Sequence, residues 1–151
     1  MVRQANVVVV GVALALLPVG CGKSPPPIVE AEGTVLLDGK PLNKAQVRFI
    51  PVDGYGAEYM ASGVTDEEGR FQLTCHGRPG ACACDHVVLV TEADIPPRLQ
   101  GENAQAELAR YFESLGGRPI PPIYGDVTAS PLTANVKAGQ KEYNLELTRL
   151  R

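Results

Sequence analysis

The sequence predicts an all-β fold: a seven-stranded antiparallel sandwich with one short helix inserted between the fifth and sixth strands. Three observations carry that expectation. Thirteen Pro and sixteen Gly in 151 residues imply many turns, which suits a fold of short strands. Apolar residues recur at every second position in several short runs, the period of a half-buried strand. Residues 96–124 alone break that period.

The stretch from Gly33 to Leu73 organises the domain. Asp38-Gly39 reads as a tight turn, because Gly takes positive φ without a Cβ clash and Asp tolerates it. Asp66-Glu67-Glu68-Gly69 reads as a second turn, with Asp at its first position and Gly at its fourth. Between them Ala45, Val47 and Phe49 alternate with Gln46, Arg48 and Ile50; beyond them Phe71 and Leu73 alternate with Arg70, Gln72 and Thr74. The pattern places strands near residues 29–37, 45–52, 58–65, 69–75, 85–93, 131–137 and 142–148. Phe49 and Phe71 are expected inside, on facing strands. Val87-Val88-Leu89-Val90 is apolar on both parities, as in a central strand or one facing the inserted segment. In the last two strands Leu132, Ala134 and Val136, then Tyr143, Leu145 and Leu147, point inward, with a turn at Gly139-Gln140.

Within residues 96–124, Asn103 is placed to cap a helix that runs to Leu115. Ala104, Leu108, Tyr111, Phe112 and Leu115 form one apolar stripe, and Gly116-Gly117 ends it. Such a stripe more often packs on a core than lines a ligand groove. Arg118 to Tyr124 then runs extended.

The N-terminus reads as an export signal. Arg3 supplies a short positive start, and Val7 to Leu17 an apolar segment too short to span a bilayer, which takes about 20 residues. The run Leu17-Pro18-Val19-Gly20-Cys21 resembles the lipobox of bacterial lipoproteins, in which the Cys is diacylated and becomes the mature N-terminus. Pro18 departs from that pattern, which prefers Leu three residues before the Cys. An ordinary cleaved signal and a retained membrane helix are the competing readings. Residues 1–20 are thus expected to be a signal peptide, 21–28 a Pro-rich tether and 29–151 one β-sandwich domain. Lys23-Ser24-Pro25-Pro26-Pro27 excludes helix and central strand, because Pro lacks a donor and fixes φ. A net charge of −3 with no Lys/Arg cluster gives nucleic-acid binding no electrostatic basis.

Gly33-Thr-Val, Asp38-Gly39-Lys40-Pro41-Leu42, Ala45-Gln-Val47, Phe49-Ile-Pro51 and Thr65-Asp66-Glu-Glu-Gly69-Arg-Phe71 together resemble the carboxypeptidase regulatory-like family. More narrowly the chain is similar to small bacterial lipoproteins carrying this module alone, through Pro121 to Tyr124 and Ser130 to Thr133. The resemblance covers roughly residues 30–148. It implies a transthyretin-type, Ig-like sandwich and a cell-envelope location, exported and lipid-anchored to a bacterial membrane. It supplies no catalytic residue, because the matching positions are turn and core positions.

Four cysteines are the chemical oddity. With Cys21 assigned to lipid, Cys75, Cys82 and Cys84 remain, beside His76 and His86. Outside the cytoplasm the expectation is one disulfide, Cys75 to Cys82 or Cys75 to Cys84. The alternatives are a metal-handling hairpin, since three thiolates and two imidazoles suit Zn²⁺ or Cu⁺, and free buried thiols that serve as small core residues. Enzymatic routes fare worse. Intradiol dioxygenases need two Tyr and two His on iron, and the two histidines here lie ten apart at one hairpin. Hydroxyisourate hydrolases end in Tyr-Arg-Gly-Ser, where this chain ends Thr148-Arg149-Leu150-Arg151. No nucleophile elbow or Walker loop is present. The reading that follows is a non-enzymatic, cofactor-free module for binding or scaffolding. Its partners are the membrane through the anchor and an envelope protein or glycan.

Overall fold

A computed structural model describes residues 24–116 and 118–149; the expected signal segment, Cys21 and the start of the expected tether lie outside the described residues. The opening strands are β1 (Ile28–Val29), β2 (Glu32–Leu37), β3 (Lys40–Pro41) and β4 (Ala45–Pro51). Asp38 and Gly39 both take positive φ, 52° and 78°, so a two-residue loop pairs Leu37 with Lys40. Next come β5 (Ala61–Val64), β6 (Arg70–Gln72), β7 (Thr74–Cys75), β8 (Arg78–Pro79) and β9 (Ala81–Cys82). The turn before β6 forms as expected. Asp66 Oδ1 accepts the Glu68 and Arg70 amides at 3.0 and 2.8 Å, and Gly69, at φ 74°, donates to the Asp66 carbonyl. The chain closes with β10 (Asp85–Glu92), β11 (Thr133–Asn135) and β12 (Leu145–Leu147).

Among the described residues the protein is mostly β, with antiparallel sheets and one short helix. A six-stranded sheet runs β11-β10-β4-β5-β7-β8; a second holds β12-β2-β3, with β6 also paired to β2; and β1 pairs β9. Phe49, from β4 of the first sheet, and Phe71, from β6 against the second, sit in one core with ring centroids 6.2 Å apart. Both are buried, while Gln72 is exposed, so the expected parity holds. Tyr143, Leu145 and Leu147 likewise point inward while Asn144, Glu146 and Thr148 are exposed.

The sequence reading needs correction in four places. Twelve short strands among the described residues replace seven longer ones, because the chain changes partner part-way through. Residues 69–75 divide at Leu73, for example, β6 pairing β2 and β7 pairing β5. One pairing is parallel: β12 runs alongside β2, Leu145 opposite Val35. The turn at Gly139 carries the chain from β11 in one sheet to β12 beside the other, so the two strands do not pair as a hairpin. Finally, Asn103 does not cap the helix. A 3-10 turn at Glu102–Ala104 precedes α1 (Gln105–Leu115), Ala104 takes the cap position, and no side chain bonds the free amides.

The helix stripe is only half-buried, and no residue of α1 is buried. It leans on the turn at Pro97–Leu99 instead of entering the core. The rest of the insertion is better fixed. Its last turn, Pro122–Gly125, packs on β10, with Gly125 against Thr91. This covers the outer face of a strand apolar on both sides, where Leu89 is buried. Tyr124 anchors the turn: its hydroxyl accepts the Thr148 amide at 2.8 Å and donates to the Thr148 carbonyl at 3.1 Å.

Close approach of backbones also constrains sequence. A Cβ on Gly33 would lie 2.1 Å from the Tyr143 carbonyl oxygen, so only glycine lets this part of the chain pass beside β2. Truncating Phe49 or Phe71 to Ala is expected to cost about 3–5 kcal/mol, and Gln72→Lys less than about 0.5 kcal/mol. Chemical denaturation of the three variants checks this; equal losses for Phe71→Ala and Gln72→Lys would contradict the packing.

Candidate functional site

The residues with chemical potential gather at one end of the six-stranded sheet. His76 and Gly77, at φ 51° and 69°, close a hairpin in which Cys75 pairs Arg78 and Thr74 pairs Pro79. The hairpin therefore does not bring Cys75 opposite the residues that open β10. Instead Cys82 lies on β9, paired with Ile28 of β1, and meets Cys75 because β7 packs on β9.

The expected disulfide is not present: Cys75, Cys82 and Cys84 are all free thiols. Cys75 and Cys82 are buried members of the core. Cys75 Sγ donates to the Tyr59 carbonyl at 3.5 Å. Burial pushes the Cys75 thiol up to about 11, with neighbouring Cys82 adding to it. Cys82 is raised by burial as well. Cys84, half-buried, is pushed up to about 11, first by burial and then by Cys82, Asp53 and Asp85. Protonated thiols are poor nucleophiles and poor metal ligands. In this arrangement they act as small apolar core residues.

The two histidines part company. His86 is buried, its ring 5.7 Å from Phe49. Its Nδ1 lies 3.0 Å from the Cys84 carbonyl and Nε2 3.8 Å from Cys84 Sγ. A carbonyl only accepts, so Nδ1 carries the proton and Nε2 offers its lone pair to the thiol. Burial lowers the His86 pKa, keeping the ring neutral. His76 is exposed and packs edge-on against Tyr59, centroids 4.7 Å apart. Among the described residues no group of three or more His, Cys, Asp or Glu is arranged to hold a metal ion. The metal-handling alternative thus has no assembled ligand set in Cys75, His76, Cys82, Cys84 and His86.

Sequence reasoning missed two features. The first is an aromatic cluster beside the hairpin, where Tyr55 packs edge-on against Tyr59 at 6.2 Å. Single tyrosines in a Gly-rich loop carry no periodic signal. The second is a clamp at the opposite end of the sheet. Arg118, its side chain 5% exposed, bonds Glu92 Oε2 through Nε at 2.5 Å and the carbonyls of Asn43 and Lys44 through a terminal nitrogen. Glu92 Oε1 in turn accepts the Ile120 amide at 3.3 Å. These contacts lock the insertion to the domain and border an apolar cavity of about 300 Å³ lined by Ala109, Phe112 and Pro119. A wider cleft, about 770 Å³, is open and polar, lying over β2 and β6 between Glu32, Asp66, Arg70 and Glu142.

Comparison with known proteins assigns no relative: no family model, no curated protein and no solved structure matches the chain.

Two outcomes follow from the buried groups. Unfolded, His86 titrates near 6.5; folded, it resists protonation to lower pH. The unfolded chain therefore binds more protons as pH falls below that value. Stability due to neutral His86 is present above it and lost beneath it. Thermal melts from about pH 7.5 to about pH 5 should show a steeper fall for the native chain than for His86→Phe; identical slopes would contradict the assignment. Thiol titration of the Cys21→Ser chain should find Cys84 reacting before Cys75 and Cys82, and three thiols after denaturation without reductant. A single thiol after denaturation would restore the disulfide.

Proposed function

We propose that the chain is an exported, lipid-anchored envelope module. Its sandwich, of the carboxypeptidase regulatory-like and transthyretin type, binds or scaffolds an envelope protein or glycan and performs no chemistry of its own. The carrying observation is the order of features at the N-terminus: an apolar segment at Val7 to Leu17, a cysteine after Gly20, prolines at 25–27, and β1 beginning at Ile28. That order suits an acyl anchor, a stiff spacer and a domain. Burial of Cys75, Cys82 and His86 supports the non-enzymatic part, since it keeps those two thiols protonated and the imidazole neutral.

A single acyl chain holds a protein at a membrane only marginally, whereas two or more hold it stably. Cys21→Ser should abolish lipid labelling and move the protein from the membrane to the soluble or precursor fraction. Unchanged membrane association of the processed Cys21→Ser chain would refute the anchor.

A further inference from the structure

We propose that the end of the domain bearing the Val52–Met60 loop rests on the membrane surface, at the phospholipid headgroups; this rests on the anchor reading above. The tether is fixed to that end. The Pro27 carbonyl accepts the Ala83 amide at 2.9 Å, and Ile28 pairs with Cys82. Two residues beyond Ala83, the Asp85 carbonyl accepts the Val52 amide at 2.9 Å, opening the loop. The Tyr59 carbonyl, near its close, accepts the Cys75 thiol at 3.5 Å. The loop and the point where the tether joins the domain are therefore bound into the same edge.

Chain length then sets the distance. From Cys21 to Pro27 there are about six residue steps, spanning at most about 20 Å when fully extended. The eight residues of β10 run from Asp85 at this end to Glu92 at the other, seven steps or roughly 23 Å at strand rise. An anchor of that reach keeps the near end close to the bilayer and leaves the Glu92 end, with Arg118 and α1, facing away.

The loop has the composition of an interfacial contact. Val52 is 59% exposed, more than any other large apolar side chain among the described residues. Tyr55, Tyr59 and Met60 are half-buried, so each keeps part of its surface open. Tyrosine favours the membrane–water boundary, its ring apolar and its hydroxyl wet. Asp53 and Glu58 are exposed on the same loop, which keeps the contact at headgroup depth and makes zwitterionic phospholipid its partner in preference to anionic lipid.

The chain contains no Trp, so a single introduced one reports position. Mature lipidated chains carrying Tyr55→Trp, Val52→Trp or Tyr111→Trp would be reconstituted into phosphatidylcholine–phosphatidylethanolamine vesicles with bromine on the acyl chains near the headgroup. The Tyr55→Trp and Val52→Trp chains should show blue-shifted, quenched emission, and the Tyr111→Trp chain, labelled on α1, neither. Having two near-end probes guards against one variant misfolding. Acylated chains with equal emission at all three positions would overturn the orientation and leave the anchor standing. An unmodified Cys21 by mass spectrometry would overturn the anchor, and the orientation with it.

Discussion

The ring of Phe49 is the contact on which the rest of the structure depends. It is fully buried and meets three other rings: Phe71 at 6.2 Å, Tyr143 at 6.1 Å and His86 at 5.7 Å. Those partners come from β6, from the segment before β12 and from β10, so one side chain ties both sheets and the late part of the chain together. Short strands of two to eight residues could not hold such an arrangement by backbone pairing alone; burial of apolar surface between the sheets is the larger contribution. The same contact explains the state of His86. Burial against that ring penalises the charged imidazole by more than the hydrogen bond to the Cys84 carbonyl and the nearby Asp85 favour it, so the ring stays neutral.

Much of this was legible because burial here has a short period. Ala45, Val47 and Phe49 face the core and Gln46, Arg48 and Ile50 do not, and the register of β4 against β10 keeps that parity over seven residue pairs. The turns were legible for a steric reason: Asp38-Gly39 and Asp66 to Gly69 carry residues that accept the required backbone angles or bonds. What alternation cannot reveal is partner choice. Nothing local in Leu145 to Leu147 says that β12 will lie parallel to β2, or that residues 69–75 will serve two sheets. The cysteines were misplaced for the same reason, since the pairing of Cys82 with Ile28 depends on where the N-terminal strand lands. Arg118 gave no signal either, because its partners are Glu92 and the Asn43 and Lys44 carbonyls, all distant in sequence.

The two ends of the domain differ in character. At one, two thiols and an imidazole are buried among core side chains, a third thiol is half-buried, and an aromatic loop packs beside them. At the other, the insertion is held by an ion pair between two charged groups that are 5% and 30% exposed, a geometry in which loss of one partner would strand the other. The helix beyond that clamp has an apolar stripe and no buried residue. Its position therefore depends on the turns that flank it more than on the core.

That division between a Phe49-centred core and a peripheral helix is the central claim, and native-state hydrogen exchange tests it directly. Amides of Val47, Val88 and Val90 should exchange only through global unfolding, while those of residues 105–115 exchange through local opening at far lower free energy. Helix amides protected as strongly as those of β4 and β10 would contradict the account.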